Sequence, residues 1–185
     1  MSSSLSVFIF ESELNVKEGH ICPVQKNQIK EIFKKNKIKN VLEIGFNAGH
    51  SADYFLSQGE DVKLTSVDIA KHQYVLPCSN YISEKHKDRF KLMIGDSRYT
   101  VPEITDKFDF IFIDGGHSEE VAYADIVNCK QVAKPNTIVM LDDYCQAYGL
   151  EVIKAFEKAV KEGIIKQIET AYRIALRGWV LYKYV

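Results

Sequence analysis

The sequence of 185 residues contains no apolar run that approaches the roughly 18 residues a membrane-spanning helix needs. It is poor in proline, with four residues, and its four cysteines form no C-x-x-C pair. That spacing disfavours a zinc site and a thioredoxin-like redox motif, so free thiols in a reducing compartment are the simpler interpretation. We therefore expect a cytoplasmic protein with no membrane partner.

An excess of charge of one sign is also missing. The 24 Lys and Arg residues are balanced by 25 Asp and Glu residues, which leaves a formal net charge of −1. Because nucleic-acid-binding domains usually carry a basic stripe, this balance argues against a nucleic-acid partner. With 46% hydrophobic residues and no linker-like tract, the chain has the composition of one folded domain.

Short apolar segments alternate with stretches of helical periodicity from about residue 25 onward. The segments that predict parallel strands are residues 41–44, 62–68, 90–94, 108–114 and 137–141. Their alternation with helical stretches predicts βαβ units and a mainly parallel sheet. Two further β-rich segments, 164–170 and 174–184, have no helix between them. We expect them to form an antiparallel hairpin with its turn near residues 172–175.

An acidic residue or a glycine turn follows each predicted parallel strand. In chain order these are residues 45–51, Asp68, Asp96, Asp114, and Asp142 with Asp143. Ligands of open α/β sheets bind beyond the carboxyl ends of the strands, so these residues mark a candidate site. One strand-end Asp is commonly a helix N-cap, but buried apolar strands alone give no reason for such residues at every strand end.

The glycine turn indicates the kind of ligand. Its G-x-x-x-G spacing differs from the G-x-G-x-x-G of nicotinamide-dinucleotide sites, which disfavours a reductase. Asp68 lies 23 residues after Gly45 and can accept hydrogen bonds from both hydroxyls of a ribose, and Asp96 is placed toward an adenine. A nucleoside without phosphates suits these residues better than a dinucleotide.

Five motifs together resemble those of the class I S-adenosylmethionine-dependent methyltransferases. They are VLEIGFNAGHSADYFL, VDIA, IGDS, FDFIFIDGGHSEEVAYADI and LDDY, within a domain of about residues 22–185. The resemblance implies an α/β fold with a single Rossmann-like methyltransferase domain. Its seven-stranded sheet would be mainly parallel, with a C-terminal antiparallel hairpin and helices on both faces. The sequence leaves open whether residues 1–21 form an arm, a lid or a dimer contact.

The resemblance also implies which residues bind the cofactor. Glu43 and the loop of residues 45–51 would hold the methionine part of S-adenosylmethionine, Asp68 would hold the ribose, and Asp96 with Ser97 would lie near the adenine. The implied contacts are Glu43, Gly45, Phe46, Asn47, Ala48, Gly49, His50, Ser51, Asp68, Ile69, Gly95, Asp96, Ser97 and Asp114.

Asp114, Asp142 and Asp143 would come together in such a sheet, where the fourth and fifth strands are neighbours. Three close carboxylates repel one another unless a cation neutralises them, and oxygen ligands favour Mg²⁺, with Mn²⁺ or Ca²⁺ as alternatives. The pattern resembles the metal-dependent O-methyltransferases of the catechol, caffeoyl-CoA and macrocin types. The catechol type has Lys and Asn where this chain has His117 and Asp143, so the chain is nearer the macrocin type. The simpler alternative is that these acids cap helices and turns.

The implied function is metal-assisted O-methylation of a small hydroxylated molecule, with His117 as the base beside Asp114. An unperturbed His titrates near pH 6.5, which suits that role. Two alternatives stay open: a metal-independent methyltransferase that modifies nucleic acid or protein, and a cofactor-binding subunit without activity. At this length we expect no separate substrate-recognition domain, so either the substrate is small, or a second copy in a homodimer or another partner completes the site.

Overall fold

The computed structural model describes residues 4–16, 19–174 and 176–185, in which helices and strands alternate. The elements are α1 Leu5–Glu11, α2 Pro23–Asn36, β1 Asn40–Ile44, α3 His50–Leu56, β2 Lys63–Asp68, α4 Val75–His86, β3 Phe90–Ile94, α5 Ser97–Thr100, β4 Phe108–Ile113, α6 Glu119–Asn128, β5 Ala133–Leu141, α7 Leu150–Lys161, β6 Ile165–Gln167, β7 Tyr172–Ile174 and β8 Arg177–Tyr184. None of the helices in these ranges is long and apolar enough to cross a membrane.

The strands form one sheet in the order β3-β2-β1-β4-β5-β8-β6. The first five strands in this order are parallel to one another, and β8 runs antiparallel to β5 and β6. This confirms the predicted α/β fold with a mainly parallel sheet and a C-terminal antiparallel hairpin. The chain leaves β1 in one direction and returns to β4 on its other side. The switch point between β1 and β4 is where such sheets bind ligands.

The C-terminal hairpin differs from the prediction in one detail. Residues expected at its turn form an additional short strand, β7, which pairs with β8 off the main order. The Tyr172 ring stacks on Trp179 with centroids 5.3 Å apart, and such cross-strand aromatic pairs stabilise extended backbone. The pairing of Ile174 with Arg177 therefore places the turn further along the chain than predicted, and the predicted turn residue Ala175 lies outside the described residues.

Aromatic side chains on both faces of the sheet hold the helices in place. On one face, Phe55 of α3 contacts the rings of Phe33 in α2 and Phe110 in β4, with centroids 5.9 Å apart in each case. On the other face, Phe156 of α7 packs edge-on against Tyr182 of β8 at 5.9 Å. All five residues are buried. Packing of the helices on both faces fixes the positions of the strand ends, where the candidate site residues lie.

The N-terminal residues pack on the domain. In α1, Leu5 is buried and the Phe8 ring stacks on Tyr81 of α4 at 4.7 Å between centroids. Further along, Gly19, His20 and Ile21 line the cleft described below. The described part of the first 21 residues thus contributes one wall to the candidate site.

Candidate functional site

A cleft of about 740 Å³ opens at the carboxyl ends of the parallel strands. The predicted site residues that line it are Gly45, Asn47, Ser51, Asp68, Ile69, Gly95, Asp96, Ser97, Asp114, His117, Asp142 and Asp143. The other predicted residues, Glu43, Phe46, Ala48, Gly49 and His50, lie in or beneath the glycine loop and are not among the residues that line the cleft. The structure therefore brings most of the predicted residues into one place.

The glycine loop passes unusually close to the neighbouring strand. Gly45 has a φ of +92°, and a Cβ atom built there would lie 2.0 Å from the carbonyl oxygen of Asp114. Gly49 has a φ of +80°, and a Cβ there would meet the ring of Phe46 at 2.7 Å. Both positions combine a left-handed backbone with no room for a side chain, so each requires glycine.

Asp68, at the end of β2, holds the glycine loop by its backbone. Its Oδ2 accepts hydrogen bonds from the N–H groups of Phe46 and Asn47 at 2.9 and 2.8 Å, and its Oδ1 accepts one from Ala70 at 2.7 Å. A carboxylate has about four acceptor positions, so Asp68 can still accept a hydrogen bond from a ribose hydroxyl.

Asp96, at the end of β3, is paired with an arginine of the same cleft. The Arg98 guanidinium donates to Asp96 Oδ2 at 2.7 Å and to Glu120 at 2.6 Å. These contacts hold the pKa of Asp96 below its usual range, and the charge of Asp96 is offset within the wall of the cleft.

A cluster of two carboxylates and one imidazole lies in the same cleft. Ligand atoms of Asp114, His117 and Asp143 all lie within 4.8 Å of one another. His117 Nε2 lies 2.6 Å from Asp143 Oδ2, and the His117 side chain is 51% exposed, against 16% for Asp143. Burial raises the pKa of Asp114 well above its usual range, and the charges of Asp142 and Asp143 raise it further. A cation would relieve this repulsion.

Asp142 stands beside this cluster and is held by a residue from α2. Its Oδ2 accepts a hydrogen bond from Gln25 Nε2 at 3.0 Å, and its Oδ1 accepts one from the N–H of Asp143 at 3.0 Å. The structure thus groups His117, instead of Asp142, with Asp114 and Asp143. Asp143 has a φ of +56°, so the chain turns sharply after Asp142, and the two consecutive side chains are held by different partners.

The sequence profile of the methyltransferase domain family matches residues 42–144, more than half of the chain. The chain belongs to this family. The match covers the glycine loop, the acidic ends of β2 to β5 and the cluster, and it confirms the resemblance to the class I S-adenosylmethionine-dependent methyltransferases.

Individual proteins similar to this chain come from fungi and bacteria. The O-methyltransferase imqG of Aspergillus flavus is 22% identical over an alignment of 118 residues, which covers 60% of this chain and 47% of that protein. The chain therefore spans about half the length of this relative.

Two solved structures share the fold. The O-methyltransferase of Bacillus cereus in complex with SAH has a TM-score of 0.75 at 15% identity, covering 98% of this chain and 90% of that one. TomG of Streptomyces achromogenes, an O-methyltransferase of tomaymycin synthesis solved with SAM, has a TM-score of 0.71 at 15% identity, covering 97% and 96%.

Glu43 supports the cleft from beneath. The side chain is fully buried, and its carboxyl accepts hydrogen bonds from the hydroxyls of Ser51 in α3 and Ser66 in β2, the latter at 2.5 Å. Burial raises the pKa of Glu43 to about 8. The contacts observed for Glu43 join β1, β2 and α3, while the methionine contact implied by the resemblance stays a prediction.

We expect Glu43 to make the stability of the fold depend on pH. Its pKa is higher in the folded chain than in the unfolded one, so the stability it contributes is present at low pH and is lost as the pH rises toward 8. The loss is at most about 1.4 kcal/mol per pH unit. Asp125 and Asp142, whose pKa values burial raises to about 7 and about 6, act in the same direction.

The comparison of wild type with Glu43→Gln isolates the contribution of Glu43. The variant keeps the shape of the side chain but does not titrate, whereas Asp125 and Asp142 titrate in both proteins. Urea unfolding across the range from about pH 5 to about pH 8 should show the variant gaining stability relative to wild type as the pH rises. A constant difference across this range would show that Glu43 is ionised in the fold.

Sequence reasoning missed several side chains of the site, among them Gln25, Tyr148 and Arg177. Gln25 lies on the same buried face of α2 as Ile29 and Phe33, at intervals of four residues. A polar residue on that face was the sequence signal that could have identified it. Tyr148 and Arg177 line the cleft but follow no predicted strand. No pattern in the sequence marks them, because their places depend on how the loop after β5 and the start of β8 fold back.

Proposed function

We propose that this methyltransferase transfers the methyl group of S-adenosylmethionine to a hydroxyl oxygen of a small molecule, assisted by a divalent cation, with Mg²⁺ as the first candidate and Mn²⁺ or Ca²⁺ as alternatives. The observation that carries the proposal is the cluster of Asp114, His117 and Asp143 in the same cleft as the glycine loop. The match to the methyltransferase family supports the cofactor, and the O-methyltransferase names of the similar proteins support the acceptor atom.

The cleft suits the proposed cofactor. Its volume of about 740 Å³ lies within the usual range for small-molecule sites, roughly 300–1,000 Å³. In this proposal the loop of residues 45–51 takes the methionine part, Asp68 accepts from the ribose, and Asp96 with Ser97 and Ile69 lies along the adenosine. Asp68 already fixes the loop by accepting hydrogen bonds from two backbone N–H groups. Binding of the cofactor therefore costs little conformational entropy in this loop.

The donor set suits a hard divalent cation. Asp114 and Asp143 of the cluster would hold the ion, with Asp142 beside them as a further carboxylate, since carboxylate oxygens are its preferred ligands and each has acceptor positions left. Burial raises the pKa of Asp114, and the charges of Asp142 and Asp143 raise it further, so a bound cation would stabilise the ionised carboxylates. When bound, the cation supplies Lewis-acid stabilisation of the developing charge on the substrate oxygen.

His117 is placed to accept the proton from the substrate hydroxyl. Its half-exposed imidazole faces the cleft, and the carboxylate of Asp143, 2.6 Å from Nε2, orients the ring and stabilises its protonated form. The walls of the cleft hold the acceptor oxygen and the methyl group in line, and this orientation supplies much of the remaining rate enhancement.

A transfer assay with labelled S-adenosylmethionine tests the proposal. Hydroxylated small molecules are screened with Mg²⁺ and with EDTA, beside RNA and protein acceptors. We expect an O-methylated small molecule, formed much faster with Mg²⁺. Transfer to RNA or protein, or a rate that EDTA leaves unchanged, would contradict the proposal. Calorimetry with S-adenosylhomocysteine serves as the binding control. If the protein does not bind this nucleoside, the proposed methyltransferase activity is wrong.

A further inference from the structure

Arg177, the first residue of β8, lines the same cleft as the cluster of Asp114, His117 and Asp143. Its guanidinium donates a hydrogen bond to the backbone carbonyl of His20. Among the described residues, the ion pairs do not include Arg177. A guanidinium carries five N–H donors, so this hydrogen bond uses only a small part of its donor capacity.

The other arginine of the cleft differs in this respect. Arg98 is held by Asp96 at 2.7 Å and by Glu120 at 2.6 Å, so its charge is already matched by carboxylates. Arg177 has a charge without such a partner in the described chain, at the end of the cleft where the reacting groups of the proposed function lie.

The backbone around Arg177 is fixed against the loop that carries the acids. The N–H of Tyr144 donates to the carbonyl of Gly178 at 2.8 Å. A Cβ atom on Gly178 would lie 2.3 Å from the carbonyl oxygen of Tyr144, so the two segments touch without an intervening side chain. Arg177 therefore starts from a defined position beside Asp142 and Asp143.

The charges of this end of the cleft determine what Arg177 can bind. Asp142 is close enough for Arg177 to lower its pKa, against the stronger effect of burial. With a divalent cation on the acids, the local negative charge is offset and Arg177 adds a positive one. A carboxylate or a phosphate monoester matches the fork geometry of a guanidinium and its charge.

We propose that Arg177 binds an anionic group of the acceptor, a carboxylate or a phosphate monoester, so that the substrate class is a hydroxylated acid. This inference rests on the proposed function, and it names the part of the substrate remote from the accepting hydroxyl. The bond to the His20 carbonyl would then also couple the anion to the wall formed by residues 19–21.

Calorimetry with simple anions tests this site. Benzoate, its neutral isostere benzamide, and inorganic phosphate are titrated into the protein loaded with S-adenosylhomocysteine and Mg²⁺. The wild type should bind benzoate or phosphate at millimolar concentration, and Arg177→Gln should weaken that binding at least about tenfold without changing the binding of benzamide. Benzoate alone identifies a carboxylate site, and phosphate alone identifies a phosphate-ester site.

Arg173→Gln is the matched control. Arg173 lies four residues away in the same hairpin, over the ring of Tyr144 at 5.3 Å, and is not among the residues lining the cleft. The Arg173→Gln variant should bind the anions as the wild type does. Arg177→Lys keeps the charge but loses the paired N–H donors, so its affinity for the anions should lie between those of wild type and Arg177→Gln. If Arg177→Gln does not fold, Arg177→Lys is compared with wild type in its place.

Two results overturn the inference. One is equal affinity of wild type and Arg177→Gln for the anions, and the other is no binding of either anion by the loaded wild type. The titration with S-adenosylhomocysteine separates these results from a failure of the proposed function, because that function fails if the wild type does not bind this nucleoside at all.

Discussion

Gly45→Ala should both destabilise the fold and disrupt the cleft. The left-handed backbone at this position costs an alanine about 1–2 kcal/mol, and its Cβ would lie 2.0 Å from the Asp114 carbonyl oxygen, where no side chain can move aside. We expect a total loss of at least about 3 kcal/mol in the free energy of unfolding, measured with urea. We also expect affinity for S-adenosylhomocysteine to fall at least about tenfold, because β1 and β4 must separate at the switch point.

Gly163→Ala is the control for backbone strain. Gly163 has a φ of +70° and no atom within 4 Å of the Cβ position, and it does not line the cleft. This variant should lose only about 1 kcal/mol and bind S-adenosylhomocysteine normally. If the two variants lost equal stability, the close approach of β1 to β4 would not be what requires glycine at residue 45.

Asp143→Asn should reduce methyl transfer at least about a hundredfold, since it affects both the proposed ion and the proposed base. Asp143 lies in the cluster with Asp114 and 2.6 Å from His117 Nε2, so the amide would weaken the ion site and leave the imidazole poorly oriented. The rate is measured at saturating S-adenosylmethionine, with and without added Mg²⁺.

Asp106→Asn is the control for this substitution. Asp106 is exposed just before β4, at the opposite end of the strand that leads to Asp114, and the change should leave the rate unchanged. A rate for Asp143→Asn within a few-fold of wild type would indicate that neither the ion nor the base depends on this carboxylate.

Most of the sheet followed from local patterns. The segments F-D-F-I-F-I and T-I-V-M-L are short and almost continuously apolar, and both lie in buried central strands, β4 and β5. The strand β7 could not be predicted in the same way, because three residues carry no periodicity. It is held by its pairing with β8 and by the stacking of Tyr172 on Trp179.

The acidic strand ends were predictable because parallel strands bring their carboxyl ends to one edge. The contacts within that edge were not predictable, since they depend on residues distant in the chain. Asp142 is held by Gln25, 117 positions earlier in the chain. Glu43 is one residue from the end of β1, but the alternation of a strand directs it toward Ser51 and Ser66 beneath the loop.

If the acids of this cleft hold a divalent cation beside the cofactor, as we propose, the complex with S-adenosylhomocysteine should bind Mn²⁺. A titration of Mn²⁺ into this complex, comparing wild type, Asp114→Asn and Asp106→Asn, tests this most directly. Burial raises the pKa of Asp114 in the fold, so Asp114→Asn should not lower stability at neutral pH. A loss of Mn²⁺ binding by this variant would therefore reflect the loss of a ligand. We predict binding by wild type and Asp106→Asn and at least about a hundredfold weaker binding by Asp114→Asn. Equal binding by all three proteins would contradict a metal site at this cluster.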